Sequence, residues 1–287
     1  MSGSCLADFP VEITMDKRGD YIQAPYNTVR NDDIGMLLPT VEQGGGRGQA
    51  LRKTKISRDG TFGLEYTLPP FDQNSGDTKD RIETAILSDQ PIDDTIFESK
   101  FSFQIPSDSD IVRGWFLIHQ WHQSSPESPP ISINLAQGHR ARVEILVRHG
   151  ERKKGSRIVR LKRLDTSASY FDVPLDKWSD WKVYWRLSPR DPSKGLVAVF
   201  MNEQLLFSYS GVTGYSQVED QSVTERFGIY REKDSEGTHR IYYDSLTVTA
   251  MPKDFVIPSA SKLREDTSKH KQDGVAQPGS APESKPE

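Results

Sequence analysis

Alternation of apolar and polar residues is the main pattern in the middle of the chain. Phe97, Ser99, Phe101, Phe103 and Ile105 alternate with polar residues, and Pro106 ends the run. A period of two residues predicts a half-buried β-strand. Further strands are predicted over residues 115–122, 131–135, 141–148, 157–162, 181–187, 196–201, 204–209, 227–230 and 240–249.

Turn residues separate these predicted strands at short spacing. Gly138 and His149-Gly150 are candidate turns, and Met201-Asn202-Glu203-Gln204 is typical of a hairpin turn. Few windows have a helical period, and the best of them, Thr78–Leu87, is short. About ten strands joined by short turns favour an all-β sandwich or jelly roll of two antiparallel sheets.

The two ends of the chain differ from the middle in composition. Residues 259–287 are rich in Ser, Pro, Lys, Glu and Gly and contain no aromatic residue, so we expect a disordered tail after a single β domain at 1–258. Residues 1–5 show neither a basic region nor an apolar core, so no signal peptide is visible.

Composition and charge narrow the function classes. The segment 138–163 carries ten Lys/Arg against two Glu, although the whole chain has a net charge of −4. A local basic segment indicates either a contact with a polyanion or a solvated hairpin. The chain has one cysteine, Cys5, so an internal disulfide framework is excluded. The sequence contains no run of about 18 apolar residues, so no membrane-spanning helix is predicted.

Side chains that alternate along a strand share a face. Gln120 and His122 therefore point one way, and His119 and Trp121 point the other. By the same rule Arg81 shares a face with Glu83. Two longer rows are also predicted: Arg226, Gly228 and Tyr230, and Arg142, Glu144, Leu146 and Arg148.

Arg, Gln, His and Tyr on one concave sheet suit the β-elimination of a 4-linked uronate. The reaction removes the proton next to a carboxylate, and Arg or Gln donors can stabilise the enediolate that develops. A neutral imidazole can accept the proton, and a tyrosine hydroxyl can protonate the departing oxygen. This chemistry requires no cofactor.

Three segments resemble the signature strands of jelly-roll polysaccharide lyases: Arg81-Ile82-Glu83, Gln120-Trp121-His122 and Phe227-Gly228-Ile229-Tyr230. That superfamily includes glucuronan lyases, heparin lyase I-like enzymes and, more distantly, alginate lyases. Flanking matches are Ser102–Pro106, Asp180-Trp181-Lys182 and Ile241–Asp244. The resemblance covers residues 50–250. It implies a concanavalin A-like all-β jelly roll with a concave substrate groove.

The resemblance also implies roles for individual residues. His122 would be the base and Tyr230 the acid, with Gln120 and Arg81 on the uronate carboxylate; in some members one tyrosine does both, so the base stays open. Arg226 stands where alginate lyases carry Lys, and Thr84-Ala85 depart from their motif. Tyr230-Arg231 resembles the glucuronan and heparin branch more than the alginate branch, which makes polyglucuronate the first candidate substrate. The further substrate-binding candidates are Arg226, Arg142, Arg148, Glu83, Lys182 and Arg231.

Several other readings remain open. Asp244 could ligate a structural calcium ion, although one carboxylate is too few for a calcium site. Trp115 and Trp121 are expected in the core. The main alternative is a non-catalytic, lectin-like module of the same fold that binds acidic glycans. A glycoside hydrolase would need two paired carboxylates that we do not find, and no nucleic-acid-binding motif is present.

The expected partner is an acidic polysaccharide, with neither a nucleic acid nor a membrane, and the chain is expected to be a monomer. Such a substrate predicts an extracellular or periplasmic location.

Overall fold

The computed structural model describes residues 11–13, 30–31, 36–37, 40–44, 50–58, 63–71, 79–88, 95–123, 128–150, 156–216, 223–232 and 237–258. All regular elements in these ranges are β-strands, in agreement with the predicted all-β class. No helix in the described ranges is long and apolar enough to cross a membrane.

Eight strands form the first sheet. In chain order they are β1 (Val11–Ile13), β5 (Ala50–Thr54), β6 (Gly63–Leu68), β8 (Phe97–Gln104), β14 (Ser179–Arg186), β15 (Leu196–Met201), β16 (Gln204–Ser210) and β19 (His239–Ala250). Their spatial order is β16-β15-β14-β8-β19-β6-β5, and β1 also pairs with β19. We call this the back sheet.

Nine strands form the second sheet, which we call the groove sheet. They are β4 (Thr40–Gly44), β7 (Lys79–Ser88), β9 (Phe116–Gln123), β10 (Ile131–Leu135), β11 (Arg142–Gly150), β12 (Ser156–Arg160), β13 (Phe171–Asp172), β17 (Gly214–Tyr215) and β18 (Val223–Glu232). The order is β12-β11-β10-β9-β18-β7-β4, with β13 and β17 on β11. A separate pair joins β2 (Arg30–Asn31) to β3 (Met36–Leu37).

Both sheets are antiparallel as predicted, apart from the short parallel pair of β17 with β11. The predicted hairpin turn is also present: Asn202 and Glu203 have φ angles of 47° and 65° between β15 and β16. Positive φ at both central residues gives a turn whose twist matches that of the flanking strands. The architecture is therefore the predicted jelly-roll sandwich.

The core lies between the two sheets and is rich in aromatic side chains. The predicted inward row of β8, from Phe97 to Ile105, is buried throughout. Phe101 of the back sheet stacks on His119 of the groove sheet with ring centroids 4.1 Å apart. Trp121 is fully buried, as expected. Burial of these rings supplies most of the driving force for packing the sheets.

A β-bulge interrupts the alternation in β9. Asn134 of β10 pairs with Leu117, but Ile133 pairs with His119, so Ile118 is an extra residue. Ile118 and His119 both face the core as a result, while Gln120 and His122 face outward. The Tyr243 hydroxyl of the back sheet donates a hydrogen bond to the Ile118 carbonyl at 2.7 Å. A hydrogen bond from the back sheet therefore stabilises the bulge.

The chain divides into the units Met1–Phe255 and Val256–Glu287. The predicted tail, residues 259–287, lies outside the described residues. The boundary at 258 stays a prediction.

Candidate active site

A groove of about 580 Å³ lies on the outer face of the groove sheet. Strands β7, β9, β10, β11, β12 and β18 all contribute to it, together with the segment after β9. Its lining residues are Lys79, Arg81, Trp115, Leu117, Gln120, His122, Ser128, Pro129, Asn134, Arg148, Ile158, Arg226 and Tyr230. The predicted face of Gln120 and His122 is therefore the floor of this groove.

Gln120 is held in the groove by a buried carboxylate. Its Nε2 donates to Oε1 of Glu83 at 2.6 Å, and only 1 % of the Gln120 surface is exposed. Glu83 is fully buried and does not line the groove. The predicted role of Glu83 as a direct substrate contact is thus not supported by its position. Its position fits a residue that orients Gln120.

Gly228 lets strand β18 approach strand β7 closely beside Glu83. It lies on β18, between β9 and β7, directly opposite Glu83. Its φ is +134°, and a Cβ here would lie 2.3 Å from the Ile82 carbonyl oxygen. No larger residue fits this backbone without displacement. Close packing therefore explains why a glycine occurs at this position of the third signature strand.

Two buried amide oxygens at the groove have unused acceptor capacity. Oε1 of Gln120 and Oδ1 of Asn134 accept no hydrogen bond from any residue that the structure describes. A buried polar atom without a partner is costly unless a ligand satisfies it. Sugar hydroxyls are donors of the kind that these oxygens need.

The ring of Tyr230 is clamped between two side chains. The Arg81 guanidinium carbon lies 4.3 Å from its centroid, and the Trp115 ring meets it edge-on at 4.7 Å. Trp115 is 37 % exposed, so the expectation that it belongs to the core is wrong. The strand predicted to begin at Trp115 begins at Phe116 instead, and Trp115 stands at the groove rim.

The groove lining is cationic. Lys79, Arg81, Arg148 and Arg226 all line it, and no Asp or Glu does so among the described residues. Charges of one sign in a concave site raise the local concentration of an oppositely charged ligand. The groove is therefore suited to a polyanion, and it lacks the paired carboxylates of a glycoside hydrolase within the part of the chain described.

Arg142 and Lys182, two predicted substrate contacts, lie away from the groove lining. Arg142 donates to Asp172 at 2.8 Å and stacks on the Tyr170 ring at 4.1 Å. Lys182 lies on the back sheet and pairs with Glu203 at 2.7 Å. Local periodicity does not say which sheet a strand joins, so the prediction for Lys182 is wrong as to position. Arg142 lies on β11 of the groove sheet, and its role as a substrate contact stays a prediction.

Arg231 faces the core rather than the groove. It follows Tyr230, so strand alternation turns it inward, where it pairs with Asp80 at 3.1 Å and donates to Pro69 and His239. Burial lowers the pKa of the Arg231 guanidinium, and Asp80 partly offsets this effect. Its prediction as a substrate contact is contradicted.

Asp244 lies on the back sheet and accepts a hydrogen bond from the backbone N–H of Arg58 at 2.7 Å. No group of three or more His, Cys, Asp or Glu side chains that could hold a metal occurs in the described ranges. This hydrogen bond indicates a structural role for Asp244. Calcium binding stays a prediction.

Several residues that line the groove are not among the site residues predicted from the sequence. Lys79 could have been found, because alternation along β7 puts it on the same face as Arg81. Asn134 and Ile158 belong to predicted strands, but the sequence does not indicate which face of each strand lines the groove. Ser128 and Pro129 follow β9 in a segment without periodicity.

A family model described as polysaccharide lyase matches residues 25–247. The comparison with curated proteins gives no significant match. The endo-β-1,4-glucuronan lyase of the fungus Trichoderma reesei is similar at a TM-score of 0.56 and 12% identity, over 73% of this chain and 90% of that chain.

Two further structures are similar at lower scores. A family 7 alginate lyase, A1-II′, has a TM-score of 0.47 and 14% identity, over 72% of this chain and 86% of that one. The binding domain of botulinum neurotoxin DC has a TM-score of 0.44 and 10% identity, over 80% and 46%. The family match spans most of the sequence and includes every residue that lines the groove. The chain belongs to the polysaccharide lyase family.

Proposed function

We propose that the groove binds a polyuronate and cleaves it by β-elimination, with polyglucuronate as the first candidate substrate. The observation that carries the proposal is the groove lining: four cations and no described carboxylate, around an imidazole, an amide and a phenol. A lyase needs these groups, and a hydrolase needs two carboxylates instead.

Gln120 and Arg81 hold the carboxylate of the reacting sugar. Glu83 uses one N–H of the Gln120 amide, and the other N–H serves the substrate. Arg226 is directly opposite Gln120 across the β9–β18 pair and adds a second cation. As the proton next to the carboxylate leaves, negative charge moves onto these oxygens, and donors fixed in position stabilise that charge.

His122 accepts the proton and Tyr230 returns one. The C5–H bond breaks toward the His122 imidazole, its electron pair forms the C4=C5 double bond, and the C4–O bond breaks. The departing oxygen takes the proton of the Tyr230 hydroxyl. Arg81 and Trp115 fix the Tyr230 ring, so its hydroxyl needs little reorganisation during the reaction.

The choice of polyglucuronate rests on the resemblance of Tyr230-Arg231 to the glucuronan and heparin lyases. The similar Trichoderma reesei structure is named an endo-β-1,4-glucuronan lyase. Sulfated glycosaminoglycans and then alginate are the next candidates. Polymers of this class occur outside the cytoplasm, so we propose an extracellular or periplasmic location. We also propose that the protein is a monomer.

A panel of polyuronates tests the proposal. The protein is incubated with polyglucuronate, heparin and alginate, and the ultraviolet absorbance of the 4,5-unsaturated ends is followed. We expect absorbance to rise, fastest with polyglucuronate. Retained binding with no absorbance change on any polymer would instead indicate the lectin-like module.

A further inference from the structure

A buried polar pair lies on the inner face of the groove sheet. Nε2 of His119 donates a hydrogen bond to Oε1 of Glu225 at 2.8 Å, and the two side chains are 0 % and 4 % exposed. The Ser99 hydroxyl of the back sheet donates to the other carboxylate oxygen at 2.8 Å and accepts from Nε1 of Trp185 at 2.9 Å. The pair therefore connects β9 and β18 to the opposite sheet, and the proposed reaction uses neither residue.

Packing alone does not explain this pair. His119 lies among the rings of Phe101, Trp121 and Phe227, surroundings that suit an apolar side chain equally well. Its Nδ1 has no hydrogen-bond partner among the described residues. A buried polar network with an unsatisfied member is less favourable for stability than an apolar core. Apolar residues in place of a buried ionic pair are often neutral or even stabilising. The pair therefore indicates a role in specifying the structure rather than in stabilising it.

The pair lies where the register of β9 against β18 decides the composition of the groove. Regular pairing of the two strands covers Val223–Phe227, after which the register shifts. On its other edge, β9 carries the bulge at Ile118. Within the regular part, Arg226 lies opposite Gln120 on the outer face. A short stretch of regular pairing therefore determines which groups meet in the groove.

A slip by two residues would keep every side chain on its own face of the sheet, because the side-chain period is two. Val223 and Phe227 on the inner face of β18 would stay buried and would resist such a slip only weakly. Glu225 would lose its hydrogen bonds to His119 and Ser99, which would leave a buried carboxylate without partners. Such a group is strongly unfavourable, so the pair disfavours the wrong register.

We infer that His119 and Glu225 are positioning residues that fix the register of β9 against β18 and so place Arg226 opposite Gln120. The inference rests on the proposed function, in which these two groove residues act on the substrate carboxylate. His119 and Glu225 themselves contact no substrate. They act through the strands that carry the donors.

Comparison of activity with stability tests the inference. In the double variant His119→Leu/Glu225→Met, apolar side chains fill the space, so we expect a Tm within about 4 °C of the wild type. Its kcat on polyglucuronate should nevertheless fall at least about tenfold, as for misplaced catalytic groups. Each single variant should lower the Tm more than the double variant does, because it leaves one polar partner buried alone. Val197→Ala, fully buried on β15, is the control and should lower the Tm without changing kcat.

Hydrogen exchange separates this inference from the proposed function, because it needs no substrate. Amides of β9 and β18 should exchange faster in the double variant, whereas those of β15 and β16 should keep wild-type rates. This result would support the positioning role even if no polymer is cleaved. Should the double variant not fold, Glu225→Gln, which keeps the size of the side chain, takes its place in both measurements. Either a wild-type kcat or wild-type exchange in β9 and β18 would overturn the inference.

Discussion

At the scale of the residue, the site depends on how Gln120 is held. Its amide is buried and bonded to Glu83, while its neighbour in the signature strand, Trp121, is locked in the core. The orientation of the amide is thus set by a carboxylate two strands away, across Gly228. A donor that is fixed before the substrate arrives stabilises developing charge better than a mobile one.

Replacing Glu83 by Gln tests this arrangement. The variant keeps the size of the side chain but loses the charge-assisted hydrogen bond, so Gln120 is no longer held in one orientation. We expect kcat to fall about ten- to a hundredfold with a smaller change in KM, as for a misplaced catalytic group.

Glu65→Gln, on the back sheet, is the control for the Glu83 variant, and it should keep wild-type kinetics. If Glu83→Gln raised KM and left kcat unchanged, Glu83 would have to contact the substrate instead of orienting Gln120. Circular dichroism and Tm measured alongside show whether the fold is retained.

Strand alternation and family resemblance predict the candidate site residues but not their full surroundings. Gln120, His122, Arg81 and Tyr230 follow from strand alternation and family resemblance, and all four line the groove. Arg231 could have been excluded by the same alternation. Lys182 could not, because pairing of β14 with β8 and β15 is a long-range choice that no local pattern encodes.

At the scale of the element, strand β18 sets the spacing of the site. It pairs with β9 on one side and β7 on the other, and so places Arg226 opposite Gln120 and Tyr230 opposite Arg81. Its own register with β9 shifts between Phe227 and Tyr230. Gly228 lies within this shift, at a φ of +134°.

Gly228→Ala should disturb both stability and activity. The added methyl would meet the Ile82 carbonyl and the Tyr66 ring, and the left-handed backbone adds its own strain. We expect a loss of about 2–3 kcal/mol in the free energy of unfolding, and therefore a clearly lower Tm. Activity should fall as well, because the Gln120–Glu83 pair is displaced.

Gly138→Ala is the matched control for Gly228→Ala. Gly138 also has a positive φ, of +81°, but a Cβ there would meet nothing within 4 Å. The control therefore carries the backbone strain without the clash. Equal Tm losses in the two variants would mean that close packing at Gly228 is unimportant.

Local pattern at this scale predicted some elements and misread others. Strand β8 was predicted residue for residue on its inward face. Residues 78–87, in contrast, have the best helical period but fold largely as β7, because pairing with β4 and β18 outweighs a weak local preference. The bulge at Ile118 was not predictable, since it arises from the register of three strands.

At the scale of the whole molecule, a buried network ties the two sheets together beneath the site. Arg231 of the groove sheet donates to Nδ1 of His239 on the back sheet and also pairs with Asp80. His239 is buried and lies beside the Phe116 ring at 4.9 Å. Desolvation, followed by the charge of Arg231, lowers the pKa of His239 to about 4.

This network predicts loss of stability in mild acid. The unfolded chain protonates His239 near its usual pKa of 6.5, whereas the folded protein resists protonation until about pH 4. The unfolded state therefore binds more protons between these values, and stability falls as pH falls through that window. The contribution is at most about 3 kcal/mol.

Urea unfolding of the wild type and of His239→Gln at pH 7 and pH 5 measures this contribution. The wild type should lose more stability between the two pH values than the variant does. Any effect of the substitution on the free energy of unfolding that does not depend on pH cancels when the losses between pH 7 and pH 5 are compared. Identical acid losses would show that His239 has the same pKa in the folded and unfolded protein, which contradicts the prediction.

The central claim is that the cationic groove eliminates, rather than merely binds, a polyuronate. Its most direct test is the initial rate of unsaturated-product absorbance with polyglucuronate, for the wild type and for His122→Ala and Tyr230→Phe. We expect a clear rate for the wild type and a loss of at least about a hundredfold in each variant. Undiminished rates in both variants, or no absorbance from the wild type on any polyuronate, would contradict the account.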